Sequence, residues 1–250
     1  MRTHQKHLRV YVDGFDLSGQ SRSVGALAQT FAAEPDAALT DECKNILIGQ
    51  GEVTAGAINT FLTNDADGAH ALLKNGFGVR DILIAIGANA EPKAGDHVFA
   101  WTFEESEYKA EGGAGFVAAT VTPGGSSQFA PLDYSKPWGR LLHAKSAESE
   151  ANDALGVDFG SASSAGGIFV YHLLSSDGTV TLKAQHADTN NDAEFEDITG
   201  ATSGAISATV TPKSGNLPLA VDEAIKRYVR WQVEFGTALT ATFVVAFIKN

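Results

Sequence analysis

Tyr228-Val-Arg-Trp-Gln-Val-Glu-Phe235, followed at a short distance by Ala241-Thr-Phe-Val-Val-Ala-Phe247, decides the fold class. In the first stretch Val229, Trp231, Val233 and Phe235 take one face of an extended chain, and Tyr228, Arg230, Gln232 and Glu234 take the other. That is the period-2 pattern of a half-buried strand. A turn is expected near Gly236. In the strand after it, Ala241, Phe243, Val245 and Phe247 alternate with Thr240, Thr242 and Val244. This second strand is apolar on much of both faces. It is either central in a sandwich or covered by another subunit, because a water-facing side is normally polar.

The same signals extend toward the N-terminus. Val180, Leu182 and Ala184 alternate with Thr181, Lys183 and Gln185, and Ser176-Asp177-Gly178 precedes them as a turn after the apolar run 168–174, which reads as a β-hairpin. Residues 8–12 form a short strand ending at the turn Asp13-Gly14, and residues 81–86, 97–103 and 115–122 read as further strands. One helix is expected, with Asp65 as its cap, Ala69, Leu72 and Leu73 as its apolar stripe and Asn75-Gly76 at its close. Gly124-Gly125-Ser126-Ser127 and the stretch 131–137 interrupt every regular pattern. A domain boundary is therefore expected there, with a β-rich domain over residues 1–130 and a β-sandwich over 131–250. The fold class expected is mainly β, built of β-sandwich domains with one or two short helices. Gly115-Phe-Val-Ala-Ala-Thr-Val-Thr-Pro123 and Gly204-Ala-Ile-Ser-Ala-Thr-Val-Thr-Pro212 agree at six of nine positions. A duplicated β-domain would leave such a trace, and so would chance in a chain rich in Ala, Thr, Val and Gly.

Composition narrows the function. At 250 residues, 44% hydrophobic and 19% charged, the chain has the make-up of an ordinary folded protein and not of a disordered or collagen-like one. Its net charge of −12 is spread, with 10 basic and 17 acidic residues up to Pro137 and 8 and 13 beyond it. No basic face is expected to neutralise phosphates, which disfavours a grip on nucleic acid. An acidic wall still suits a passive relation to DNA, since it lets a polyanion slide. Cys43 stands alone, so neither an intrachain disulfide nor a cysteine zinc cluster is expected. Arg2, Lys6, Arg9, Asp13 and Asp16 interrupt the first 25 residues, and no window has the roughly 18 apolar residues of a membrane span. The expectation is a soluble chain with no signal peptide and no membrane partner.

Chemistry-bearing patterns are sparse. His4, His7, His70, His97, His143, His172 and His186 are scattered without metal-ligand spacing. Asp188-Thr-Asn-Asn-Asp192-Ala-Glu194 offers oxygen ligands at alternate positions but lacks the glycine and closing glutamate of a calcium loop, and reads as a polar hairpin loop. Gly49-Gln-Gly51 lacks the spacing of a phosphate-binding loop and reads as a turn. Trp101, Trp138 and Trp231 read as core anchors before a sugar-stacking platform. No catalytic residue, metal site or cofactor is expected, and the chain is not expected to be an enzyme.

Three segments together carry a resemblance. Val10-Tyr-Val-Asp-Gly-Phe-Asp-Leu-Ser-Gly19 is the first. Pro137-Trp-Gly-Arg-Leu-Leu-His143, leading into Gly156-Val-Asp-Phe-Gly160 and Ala165-Gly-Gly-Ile-Phe-Val-Tyr171, is the second. Arg227-Tyr-Val-Arg-Trp231 with Ala241-Thr-Phe-Val-Val-Ala-Phe-Ile248 is the third. Their order and spacing resemble the major tail proteins of long-tailed bacteriophages. The resemblance implies a virion structural protein, a tail tube subunit assembled in the host bacterial cytoplasm. Its β-sandwich domains would pair strands with neighbouring copies, in hexameric or trimeric pseudo-hexameric rings stacked around the DNA channel. Other tail proteins would be further partners. Residues 18–45 and 146–158 are candidates for that family's ring-stacking loop. Related β-sandwich proteins also decorate capsids, and a carbohydrate-binding module or small hydrolase is the reading from a different class. Within the tube reading, Phe243, Val244, Val245, Ala246 and Ile248 are the candidate subunit contact, since a strand apolar on both faces calls for a cover. Glu105 and Glu107, at alternate strand positions beside Glu104, are the candidate acids of the lumen.

Overall fold

Positive backbone angles at Asp13 (φ 50°) and Gly14 (φ 85°) make the first turn. A two-residue turn of this kind matches the twist of the strands it joins. Here it connects β1 (Leu8–Val12) to β2 (Phe15–Asp16). The computed structural model describes residues 5–35, 46–63, 68–74, 78–88, 90–113, 116–124, 136–152 and 155–250. The chain continues through β3 (Ser21–Val24), β4 (Leu27–Pro35), β5 (Ile46–Ala55), β6 (Ile58–Phe61), the single-turn helix α1 (Ala69–Leu73), β7 (Val79–Ile86), β8 (His97–Gly113) and β9 (Phe116–Gly124). The C-terminal half supplies β10 (Trp138–Glu148), β11 (Val157–Asp158), β12 (Gly167–Ser176), β13 (Thr179–Ala187), β14 (Glu196–Ser207), β15 (Lys213–Pro218), β16 (Tyr228–Phe235) and β17 (Ala241–Lys249). The fold is mainly β, as the strand periodicity requires.

The largest sheet runs β15-β12-β17-β10-β8-β7-β1-β2, with a branch from β8 through β9 and β6 to β3. A four-stranded sheet, β11-β16-β13-β14, packs against one of its faces, and β4 and β5 pair with each other. Two apolar cores result. Val10, Tyr11, Ile82, Ile84, Phe99 and Phe103 fill the first, and Leu182, Val229, Val233 and Ile198 the second. The strands β10, β17 and β12 form the wall between them. Along β17, Val244, Ala246 and Ile248 enter the first core while Phe243, Val245 and Phe247 enter the second. β12 divides in the same way, with Ile168 and Val170 on one side and Phe169, Tyr171 and Leu173 on the other.

Several expectations change. The strands on either side of Ser176-Asp177-Gly178 are not a hairpin: β12 pairs with β15 and β17, and β13 with β14 and β16. The turn is an arch from one sheet to the other, and the turn at Gly236 carries β16 across to β17 in the same manner. Asp177 ties the two arches together. Its Oδ1 accepts the N–H groups of Leu239 (2.8 Å) and Thr240 (3.0 Å). The boundary expected at 130/131 falls between described segments, and strands from both sides of it share the large sheet, Trp138 lying opposite Phe99. The first core draws Leu141, Ile168, Val170, Val244, Ala246 and Ile248 from beyond that boundary.

The two nine-residue segments that agree in sequence adopt different structures, since β9 stays extended to Gly124 whereas β14 ends at Ser207. Gly49 and Gly51 lie within β5, not in a turn. Gln20 Oε1 accepts the Ala69 N–H at 2.7 Å, at the start of α1. Asp65, Asn75 and Gly76, expected at the ends of that helix, lie outside the described residues.

Candidate assembly surfaces

Phe243, Val244, Val245, Ala246 and Ile248, expected at a subunit contact, are fully buried within one chain. β17 has a strand on either side and a core against each face, so its apolarity reflects two interiors and no partner is needed to cover it.

The acids of β8 separate as well. Strict alternation would put Glu105 and Glu107 on one face, but the β8/β9 register shifts between them. Such a bulge re-aims the side chains that follow it. Glu107 is exposed, while Glu105 turns inward with its side chain 1% accessible. There it faces Arg80, whose Nε lies 3.7 Å from its carboxylate. Burial pushes the Glu105 carboxyl above the usual carboxylate range, Arg80 pulls it back and Asp13 adds to the rise. Glu105 is therefore not a lumen acid, and Glu104, Glu107 and Glu111 are the exposed acids of this strand.

Arg80 also donates to Asp13 Oδ2 at 2.9 Å and to the Leu72 carbonyl at 3.0 Å. Beside it Asp81 accepts hydrogen bonds from Thr102 Oγ1 (2.9 Å), Ser214 Oγ (2.9 Å) and Asn216 Nδ2 (3.2 Å). Burial raises the Asp81 carboxyl, and the two hydroxyls partly offset the rise. These bonds stitch β7 and β8 to β15 across the interior. With its oxygens committed to donors of the same chain, Asp81 acts as a structural tie.

The arrangement nearest to a catalytic one is on β10, where Ser146 Oγ lies 3.1 Å from His143 Nε2 and donates to Glu148 Oε1 at 2.8 Å. A serine triad needs the carboxylate to orient the imidazole from its far nitrogen. Here Glu148 takes the hydroxyl proton instead. The His143 ring is packed against Trp231 and Phe243, at centroid distances of 4.3 and 4.5 Å, and burial lowers its pKa to about 4. His172, fully buried, accepts the Gly14 N–H at Nδ1 (3.0 Å) and is lowered to about 3. Both are strand histidines held neutral by the core.

In the segment 188–194, Asp192 binds Arg230, which also donates to Gln185 (2.8 Å) and stacks over Phe195. Among the described residues no group of three His, Cys, Asp or Glu side chains is placed to hold a metal ion. Trp101 is a core anchor, whereas Trp138 is 40% exposed at the edge of the Phe99 ring, against the expectation.

The surface missed from sequence is the ribbon of β4 and β5. Leu27 pairs with Ala55 and Pro35 with Ile46, along nearly the whole length of both strands. Neither strand pairs with any other strand among those described. The interval 18–45, expected as a loop for ring stacking, thus contains β3 and β4. Ile46, Ile48 and Val53 carried a strand signal, which Gly49 and Gly51 concealed.

No protein-family model matches the chain, and no curated protein sequence matches it. Among solved structures, the Dit protein of phage SPP1, described as a hub adsorption apparatus of phages infecting Gram-positive hosts, is similar at 9% identity. That match covers 96% of this chain and 98% of that one, with a TM-score of 0.31. A chain of the phage P2 baseplate, in its activated conformation with calcium, is similar at 9% identity, over 97% of this chain and 98% of that one, with a TM-score of 0.34. Both scores fall short of a shared fold.

Proposed function

We propose that the chain is a structural subunit of a phage tail, a tail tube protein whose copies close into rings around the DNA channel. The β4/β5 ribbon carries this reading. A two-stranded ribbon is only marginally stable alone in water, and unpaired edges on nine- and ten-residue strands are templates for strand addition. In a ring each ribbon would lie along the sheet of the next copy. The subunit contact thus moves from β17 to the ribbon. Glu104, Glu107 and Glu111 are the acids proposed for the lumen, where negative charge keeps DNA from adhering.

The test compares the intact chain with a variant in which residues 31–51 are replaced by a short Gly-Ser turn. Electron microscopy and light scattering should show rings or tubes for the first and a folded monomer for the second. An intact chain that stays monomeric at high concentration, or a shortened one that assembles equally well, would refute the reading. Particles that bind preformed capsids without forming tubes would favour a decoration protein.

A further inference from the structure

The large sheet curls back on itself. β1 and β10 are separated by β7 and β8 in its order, yet residues of both strands line one cavity of about 240 Å³. Alternate positions put Arg9 and Tyr11 on one face of β1, where their cross-strand neighbours Ala85 of β7 and Asp16 of β2 join them. Leu141, Ala144 and Lys145 of β10, with Val244 of β17, form the facing wall, and Glu91 and Pro92, between β7 and β8, complete the lining. Alanine at 85 and 144 leaves the two walls apart.

Floor and mouth differ in character. Tyr11, Ala85, Leu141 and Val244 are buried, whereas the four charged side chains are partly open to water. They stand as two ion pairs, Arg9 with Glu91 and Lys145 with Asp16 at 2.6 Å. An ammonium carries three donors and a carboxylate about four acceptor positions, so both pairs keep capacity toward a ligand. In the floor, Tyr11 is 3% exposed and its hydroxyl makes no hydrogen bond among the described residues. Buried tyrosine hydroxyls normally find a partner. Burial, and after it the Asp16 carboxylate, raise this hydroxyl above its usual pKa, so it keeps its proton and remains a donor. An apolar hollow with a few converging polar groups and a shifted titratable group has the make-up of a small-molecule site.

We infer that this cavity binds a small aliphatic α-amino acid as its zwitterion. Two cations and two anions around one mouth match a ligand that carries one charge of each sign, whereas a simple anion or cation would face like charges there. The ligand carboxylate would take N–H groups of Arg9 and Lys145 and the Tyr11 O–H, its ammonium would meet Asp16 and Glu91, and its side chain would rest on Leu141 and Val244. Size agrees with this. At about 30 Å³ for a water-sized group the cavity holds about eight, and valine has about that many non-hydrogen atoms. The inference does not depend on assembly into rings.

Free L-valine is titrated into the intact chain at low salt, followed by calorimetry and by amide chemical shifts. Isovalerate, which keeps only the carboxylate, isobutylamine, which keeps only the amine, and N-acetylvaline amide, which keeps neither charge, are the comparisons. Valine is expected to bind at about millimolar strength, and each comparison about tenfold more weakly or less. Tyr11→Phe removes only the hydroxyl and should weaken valine about tenfold with an unchanged melting temperature. Ala144→Leu fills the hollow and should abolish binding. Absence of saturable valine binding would overturn the inference, as would equal binding of isovalerate or isobutylamine. Undiminished valine binding in either variant would place the ligand elsewhere and overturn the assignment to this cavity.

Discussion

Replacing Phe243 by alanine separates the two roles open to β17. The ring is fully buried in the second core, 5.3 Å from Trp231 in an edge-on arrangement and 4.5 Å from His143. Truncating a buried phenylalanine costs about 3–5 kcal/mol, from lost transfer energy and the cavity left behind. Rigid strands on both sides of β17 limit collapse into that cavity, so about 4 kcal/mol is expected for Phe243→Ala. That is a large part of the roughly 5–15 kcal/mol that holds a domain folded. At about 1.4 kcal/mol per tenfold change, it raises the unfolded fraction nearly a thousandfold. For a chain of this size it lowers the melting temperature by about 8–16 °C. Denaturant unfolding followed by tryptophan fluorescence measures the loss, with Val210→Ala as a control at a position 91% exposed, where about 0.5 kcal/mol or less is expected. If Phe243→Ala changes stability no more than this control while lowering the oligomeric state, β17 is a subunit contact and its placement in the core is refuted.

Two further outcomes follow from buried charge. His143 is held at about pKa 4 in the folded chain by burial, against about 6.5 when unfolded. Its contribution to stability is therefore complete above pH ~6.5 and is lost as pH falls toward 4, with a slope of up to about 1.4 kcal/mol per pH unit. His143→Phe should flatten the melting-temperature profile over that window, and an unchanged profile would place the acid sensitivity elsewhere. Arg80→Met removes the cation shared by Asp13 and Glu105, and should cost about 3 kcal/mol because a buried carboxylate is left uncompensated. Adding Glu105→Gln should restore more than half of that in a double-mutant cycle, and the absence of any recovery would mean that Glu105 does not depend on Arg80.

Face alternation was legible in the sequence and strand partners were not. Val180, Leu182 and Ala184 are buried where Thr181, Lys183 and Gln185 are partly exposed, as their period predicts. The Ser176-Asp177-Gly178 turn is compatible with a hairpin or an arch, and what separates them is the twist between two sheets that do not exist until the chain has folded. The apolar faces of β17 were equally readable, but two covers satisfy that pattern, another subunit or a second core. At β8 a one-residue bulge reversed the environment of Glu105, and no residue type there announces it.

The central place of β17 has a consequence for synthesis. β10 and β12 both await a strand that lies far downstream, since Arg140 pairs with Phe247 and Ile168 with Ile248. With translation at about 5–20 residues per second, the roughly one hundred residues between β10 and its partner take about 5–20 s to appear. Throughout that time the wall between the two cores is incomplete, and the apolar faces of β10 and β12 are open to any passing chain. Polysomes bring many nascent copies of this protein close together, each missing the same strand. The interval before β17 is available is thus the period of greatest exposure to misassembly, and chaperone occupancy of the chain should peak there and fall once β17 has paired with β10 and β12.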